Sequence, residues 1–289
     1  MTLAQSIGLA LNASIFLLVF ALGLQSSQRD ATYVFRHPAL LIRSLVSMSV
    51  VMPLFAILVA ALTNLHPAIK IAILALAVSP VPPILPKKQV KAGGTSSYAV
   101  GLLFSAAVLA ILVIPVTIGA VDLLFGKEAH VPLGKLARIL LTSVVLPLAA
   151  GMLVRTLVVD IARRIAHPIS YFATALLVVA VLPVLVGAWP QLVSMVGNGT
   201  LVVLALFTLV GVVVGHLLGG PDPDNRTVLA LATSTRHPGI ALAVATLDGQ
   251  AVKGVLAVIL WHAIVSSVVS VPYVRRHIRS HAATPGGTG

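Results

Sequence analysis

The run Ser79-Pro80-Val81-Pro82-Pro83-Ile84-Leu85-Pro86-Lys87-Lys88 cuts through a stretch that is otherwise apolar from residue 67 to residue 92. A proline has no amide donor and clashes with the preceding helical turn, so no continuous helix crosses this run. Pro67 to Ser79 is thirteen residues, about 20 Å of helix, which falls short of a hydrocarbon core of about 30 Å. Pro86 can restart a helix as its first residue, where the missing N–H costs nothing. The spacing predicts a half-helix, an extended linker and a second half-helix. A second apolar stretch, 226–247, is cut at Thr235-Arg236-His237-Pro238-Gly239. There Pro238 pushes His237 out of helical geometry and opens another half-helix. Hydrocarbon offers broken backbone no hydrogen bonds, so such segments survive only inside protein or against a water-filled cavity.

That setting is a membrane. Only 9% of the 289 residues are charged and 58% are hydrophobic, whereas soluble domains carry about 25% charged residues. The chain reads as an all-α integral membrane protein with about nine spans, near 8–27, 39–62, 67–92, 96–120, 134–154, 168–189, 199–219, 226–247 and 252–274. The first apolar run reads as a retained span, and residues 282–289 as a disordered tail. Each break falls in the third of four consecutive spans, 8–27 to 96–120 and 168–189 to 252–274. The span 134–154 lies between the sets, so the second set enters from the opposite side, the arithmetic of an inverted repeat.

The net charge of +12 sits at span ends rather than on a basic face, which speaks for lipid contact and against nucleic acid. Arg29, Arg36, Arg155, Arg163, Arg164, Arg226, Arg275, Arg276 and Arg279 fall on one side. Lys127, Lys135, Arg138 and Lys253 fall on the other, with Lys70 near a helix start. The positive-inside bias places the N-terminus outside and the C-terminus in the cytoplasm of a cell membrane, the inner membrane if the cell is bacterial.

At both breaks basic side chains flank the proline that opens the second half-helix. The candidate substrate-binding residues are Pro82, Pro83, Pro86, Lys87, Lys88, Ser234, Thr235, Arg236, His237, Pro238 and Gly239. Helix N-termini present bare N–H groups and a partial positive charge, so an anion held between the two starts would satisfy the lysines. Against this, Lys87, Lys88 and Lys91 could snorkel to the interface. Arg236-His237 is harder to dismiss, because charge buried in a membrane is costly and usually functional. All seven carboxylates (Asp30, Asp122, Glu128, Asp160, Asp222, Asp224, Asp248) fall in loops or at span ends. A sodium ion would lack its usual ligand, and protons, through His237 or a lysine, are the other candidate coupling ions. His216 and His262 read as packed and hydrogen-bonded. No cysteine, metal spacing or P-loop occurs, so no metal, cofactor or ATP site is expected. No nucleophile–base–acid set can be assembled either, which argues against an enzyme.

The chain resembles the bile acid:sodium symporter superfamily, which also includes arsenite and related organic-anion carriers. The likeness runs from Leu11-Asn12-Ala13-Ser14 and Gly23-Leu24 to the last span, and is clearest in Phe35-Arg36-His37-Pro38, Met52-Pro53-Leu54 and the two broken spans. It implies a panel domain (spans 8–27, 134–154 and 168–189) and a core domain (the remaining six) in which two broken helices cross and move as an elevator-like unit. Sodium-coupled members have a Pro-Gly-Gly-x-x-Ser-Asn-like first crossing; matching its proline to Pro80 puts the Ser-Asn pair on Leu85-Pro86. The second crossing typically reads Glu-x-Gly-x-Gln-Asn-x-Gly-Leu; matching its last glycine to Gly239 puts Ala232, Arg236 and His237 at Glu, Gln and Asn. The sodium ligands are replaced by apolar or basic residues. The expectation is a carrier of a small organic anion working by alternating access without sodium. A sodium-coupled carrier and a non-transporting ligand sensor are the alternatives.

Overall fold

The computed structural model describes residues 2–125, 133–246 and 253–282. Lys127, Glu128, Asp248 and the expected tail beyond Ala282 lie outside them. The described residues form helices without a strand. These are α1 (Leu3–Gln25), α2 (Gln28–Ala31), α3 (Pro38–Leu45), α4 (Met52–Leu62), α5 (Pro67–Val78), α6 (Leu85–Lys91), α7 (Ser96–Phe125) and α8 (Leu133–Leu140). They continue with α9 (Leu146–Leu157), α10 (Val159–Ser194), α11 (Leu201–Leu218), α12 (Pro223–Ser234), α13 (Pro238–Ala245), α14 (Val255–Val269) and α15 (Val271–Ala282). Seven stretches among them are long and apolar enough to cross a membrane. The pairs α5–α6 and α12–α13 are the two interrupted helices, each half too short to cross alone.

Several boundaries differ from the sequence reading, two of them for a plain physical reason. Leu85 opens α6 and Pro86 takes its second position, which costs no more, since the first turn's amides have no helical acceptor in any case. The span expected at 168–189 is one helix from Val159 to Ser194, with Pro168, Pro183 and Pro190 inside it. Hydropathy alone misses its first turns, where Asp160, Arg163, Arg164 and His167 are polar yet compatible with helix.

Wide π turns at Val46–Val51 and Leu141–Val145 join α3 to α4 and α8 to α9. Both come from nearly the same hexapeptide, Ser49-Val50-Val51-Met52-Pro53-Leu54 and Ser143-Val144-Val145-Leu146-Pro147-Leu148. In each, the proline ring crowds the carbonyl four residues back and removes a helical donor, which widens the turn.

Glycines set the closest crossings. A Cβ on Gly211 or Gly215 of α11, or on Gly219 just past its end, would lie 2.7 Å from Ser234 Cα, 2.5 Å from Ala230 Cα or 2.3 Å from Arg226 Cα. This ridge, one glycine every four residues, lets α12 pack backbone to backbone, as small residues do between membrane helices. Gly23 and Gly151 do the same where α1 crosses α9, with a Cβ on Gly151 only 2.2 Å from Phe20 O. One buried core gathers Val81, Leu85, Tyr98, Leu103, Leu229 and Ile240; the other gathers Ile69, Ile73, Phe207, Ala241 and Val258. Both interruptions lie where the two cores meet.

Ser97 donates to Asp30, Arg155 donates to the Gln25 carbonyl, and His277 lies 3.5 Å from Asp224. The first two contacts draw the start of α7, the end of α1 and α9 in around α2, with Arg29 and Arg155, and the third joins the start of α12 to α15.

Candidate functional site

Ser79 closes α5. Its amide and its hydroxyl both donate to Leu76 O, at 3.1 and 2.9 Å, and its backbone is extended (ψ 143°), as the following proline requires. Thr235 ends α12 with similarly extended backbone (ψ 130°), its amide donating to Leu231 O at 3.1 Å, and His237 is extended before Pro238. The two extended segments are joined directly: the His237 amide donates to Pro80 O at 3.0 Å. The interruptions therefore meet.

Arg236 fastens the junction. Its Nη1 donates to Ser79 O at 3.1 Å and its Nη2 to Met48 O at 3.0 Å, and the residue is 4% exposed. Each acceptor needs a donor from outside its own helix. Ser79 O lies just past the end of α5, where helical carbonyls run out of partners. Met48 O lies in the π turn; in that register its donor would be the amide of residue 53, and Pro53 has none. Thr233 Oγ1 and Ser47 Oγ, 2.6 Å apart, pin α12 to the same turn. The C-terminal ends of α5 and α12 both converge here, each equivalent to about half a negative charge. One buried guanidinium offsets the two.

Two donors are left over. Arg236 Nε has no partner among the described residues, and neither does His237 Nε2. His237 Nδ1 accepts the Ile240 amide at 3.3 Å, capping α13, so the neutral ring carries its proton on Nε2. The crossing thus presents buried N–H groups on adjacent residues with no acceptor among the described residues. His262, also buried, packs edge-on to Phe207 with ring centroids 5.3 Å apart and lies within electrostatic reach of Arg236; its Nε2 is likewise unpartnered. His216, by contrast, pairs through Nδ1 with Tyr273 OH at 2.9 Å.

Arg236 lines a cavity of about 30 Å³ together with the hydroxyl residues Ser44, Ser49, Ser79 and Ser105. Its other walls are apolar and include Leu41, Leu45, Leu102 and Val113. It has room for a water or two, not for an organic anion.

The remaining sequence candidates divide. Pro82, Pro83 and Pro86 are buried in the first linker and α6. Ser234 is buried and turned back to Leu231 O; Thr235 and Pro238 are half-buried, and Gly239 is exposed. Lys87 and Lys88 do not line the cavity with Arg236. Both are exposed, and Lys88 Nζ donates to Ser267 Oγ of α14 at 3.1 Å. Their neighbour Gln89 turns inward instead, donating to Val228 O at 2.8 Å. Sequence reasoning missed Met48, Ser49, Gln89 and the α11 glycines. The recurrent hexapeptide and the four-residue glycine period were the available signals.

Residues 13–195 match the sequence profile of the Sodium Bile acid symporter family, more than half of the chain. The chain belongs to that family. It is a multi-pass membrane protein, and the family it belongs to is one of organic-anion transporters. The match covers the first interruption and stops before the second, the one that carries Arg236. Comparison with individual curated proteins returns no match.

Proposed function

We propose that this family member carries a small organic anion by alternating access and without sodium. The observation that supports this is Arg236: a tethered cation bridges two backbone carbonyls at the crossing, while its Nε and the adjacent His237 Nε2 remain free to donate to an acceptor. Carboxylate oxygens are the natural acceptors for such a pair. The apolar walls beside Arg236 suit the hydrocarbon part of the same molecule. In this reading α1 and α8–α10 form the panel and the other helices the core, with the N-terminus outside. Widening the cavity requires the described arrangement to open, and the glycine-packed α11–α12 pair would move as one piece.

Fixed charge suits this geometry better than proton exchange at His237. Protonating Nδ1 would remove the acceptor that caps α13 and place a cation at a helix N-terminus. Sodium coupling is the second reading, favoured by the family itself. Uptake of labelled organic anions into proteoliposomes, with Na⁺ and ΔpH varied separately, separates the two. Uptake that persists in Na⁺-free buffer supports the tethered-cation reading, and strict Na⁺ dependence defeats it.

A further inference from the structure

At the arginine-rich end, away from the crossing, two open clefts share one residue. The first, about 330 Å³, is lined by Leu24, Gln25, Arg155, Arg163, Ala166 and His167. The second, about 400 Å³, adds Ser27, Gln28, Arg29, Thr156 and Val159 around the same Arg155. Both volumes lie in the range of small-molecule sites, about 300–1,000 Å³. No carboxylate lines either cleft. The nearest acids are otherwise engaged or turned to solvent. Asp30 accepts from the Ser27 amide, Ser27 Oγ and Ser97 Oγ, and Asp160 is exposed in the first turn of α10. Among the described residues Arg29, Arg155 and Arg163 make no close ion pair; Arg155 acts on Asp30 only through its longer-range charge.

An apolar collar borders these cations: Leu157, Val158, Val159 and Ile161 are all exposed, Leu157 by 72%. The 36 residues of α10 extend about 54 Å, longer than the roughly 40–45 Å of a whole bilayer with its headgroups. A bilayer-spanning α10 thus has length to spare, and its charged first turns, with Asp160, Arg163, Arg164 and His167, are the part whose polarity suits the headgroup layer. Cations facing a headgroup-sized opening, with exposed aliphatic side chains next to them, match one molecule: an anionic phospholipid, its phosphate on the arginines and its chains along the collar.

We propose that Arg29, Arg155 and Arg163, with His167, form a binding site for the headgroup of an anionic phospholipid, distinct from the substrate crossing. Arg155 also holds Gln25 O, so the informative variant is Arg29→Gln/Arg163→Gln, whose side chains make no hydrogen bond among the described residues. Delipidated protein in detergent would be titrated with phosphatidylglycerol, phosphatidylcholine or inorganic phosphate. Binding would be followed by native mass spectrometry and the thermal midpoint by tryptophan fluorescence. The expected result is that phosphatidylglycerol binds and raises the midpoint and phosphatidylcholine does not. The double variant should need roughly 25-fold more phosphatidylglycerol, about fivefold for each arginine lost. Arg164→Gln, which lines neither cleft, should respond as wild type. A double variant that also responds as wild type would overturn the site. Full stabilisation by inorganic phosphate alone would show a free-anion site and overturn the lipid assignment.

Discussion

Replacing Gly215 by alanine tests whether α11 and α12 pack as closely as the crossing requires. The new Cβ would lie 2.5 Å from both Ala230 Cα and Leu229 O. Carbon contacts are favourable from about 3.5 Å, so the two helices must part by about 1 Å. Both obstacles are backbone atoms, and no side-chain rotation relieves them. α12 leads directly into Arg236, whose bonds to Ser79 O and Met48 O are 3.1 and 3.0 Å long, and a further ångström takes such bonds beyond useful length. Overpacking of this kind costs about 1–3 kcal/mol, which corresponds to about 2–12 °C in the melting midpoint of a chain this size. The alanine also recovers roughly 0.5–1 kcal/mol of helix propensity. Gly119→Ala and Gly187→Ala isolate that gain, since a Cβ at either meets nothing within 4 Å. The assay is a thermal melt of purified protein followed by the fluorescence of Trp189 and Trp261, paired with an uptake measurement. Gly215→Ala should melt below wild type and lose uptake, while the two controls melt at or above wild type. If Gly215→Ala melted as high as Gly119→Ala, the close packing and the reasoning built on it would be wrong.

Two further outcomes follow from contacts elsewhere. The chain has no native cysteine, so Ser47→Cys/Thr233→Cys, replacing hydroxyls 2.6 Å apart, should form a disulfide on oxidation. Uptake should survive it if the π turn and α12 move together, and loss of uptake on oxidation alone, restored by reductant, would refute that shared motion. At Asp30 burial pushes the carboxyl upward, but hydrogen bonds from Ser97 and Ser27 and the charge of Arg155 outweigh it and hold the group below its ordinary 3.8. A depressed folded value contributes stability above the unfolded value, and that stability is lost as pH falls through the folded one. Asp30→Asn should therefore lower the melting midpoint at pH 7, with the gap to wild type closing below about pH 4; a gap independent of pH would contradict the assignment.

The breaks were legible because proline acts through its own covalent geometry. Pro80 and Pro238 fix where α5 and α12 stop, whatever surrounds them. What those breaks touch depends on side-chain direction, which spacing does not supply. Lys87, Lys88 and Gln89 are consecutive on one short helix, and the neutral residue is the one that turns toward α12. Arg236 stood out as a buried charge, but its acceptors did not, because Met48 O is freed by a proline five residues later acting through a π turn. The length of α10 was hidden for a different reason. Arg163, Arg164 and His167 end a hydropathic window without ending a helix.

Chemical rescue of Arg236→Ala reaches the central claim most directly. Truncation removes the cation and leaves Ser79 O and Met48 O buried without donors, at about 1–3 kcal/mol each, so the melting midpoint is followed alongside transport to keep to folded protein. Labelled-anion uptake should fall to background in Na⁺-free buffer and recover in part when free guanidinium ion is added, since the detached cation can settle between the same carbonyls. Wild-type uptake by the folded Arg236→Ala protein without guanidinium would contradict the account.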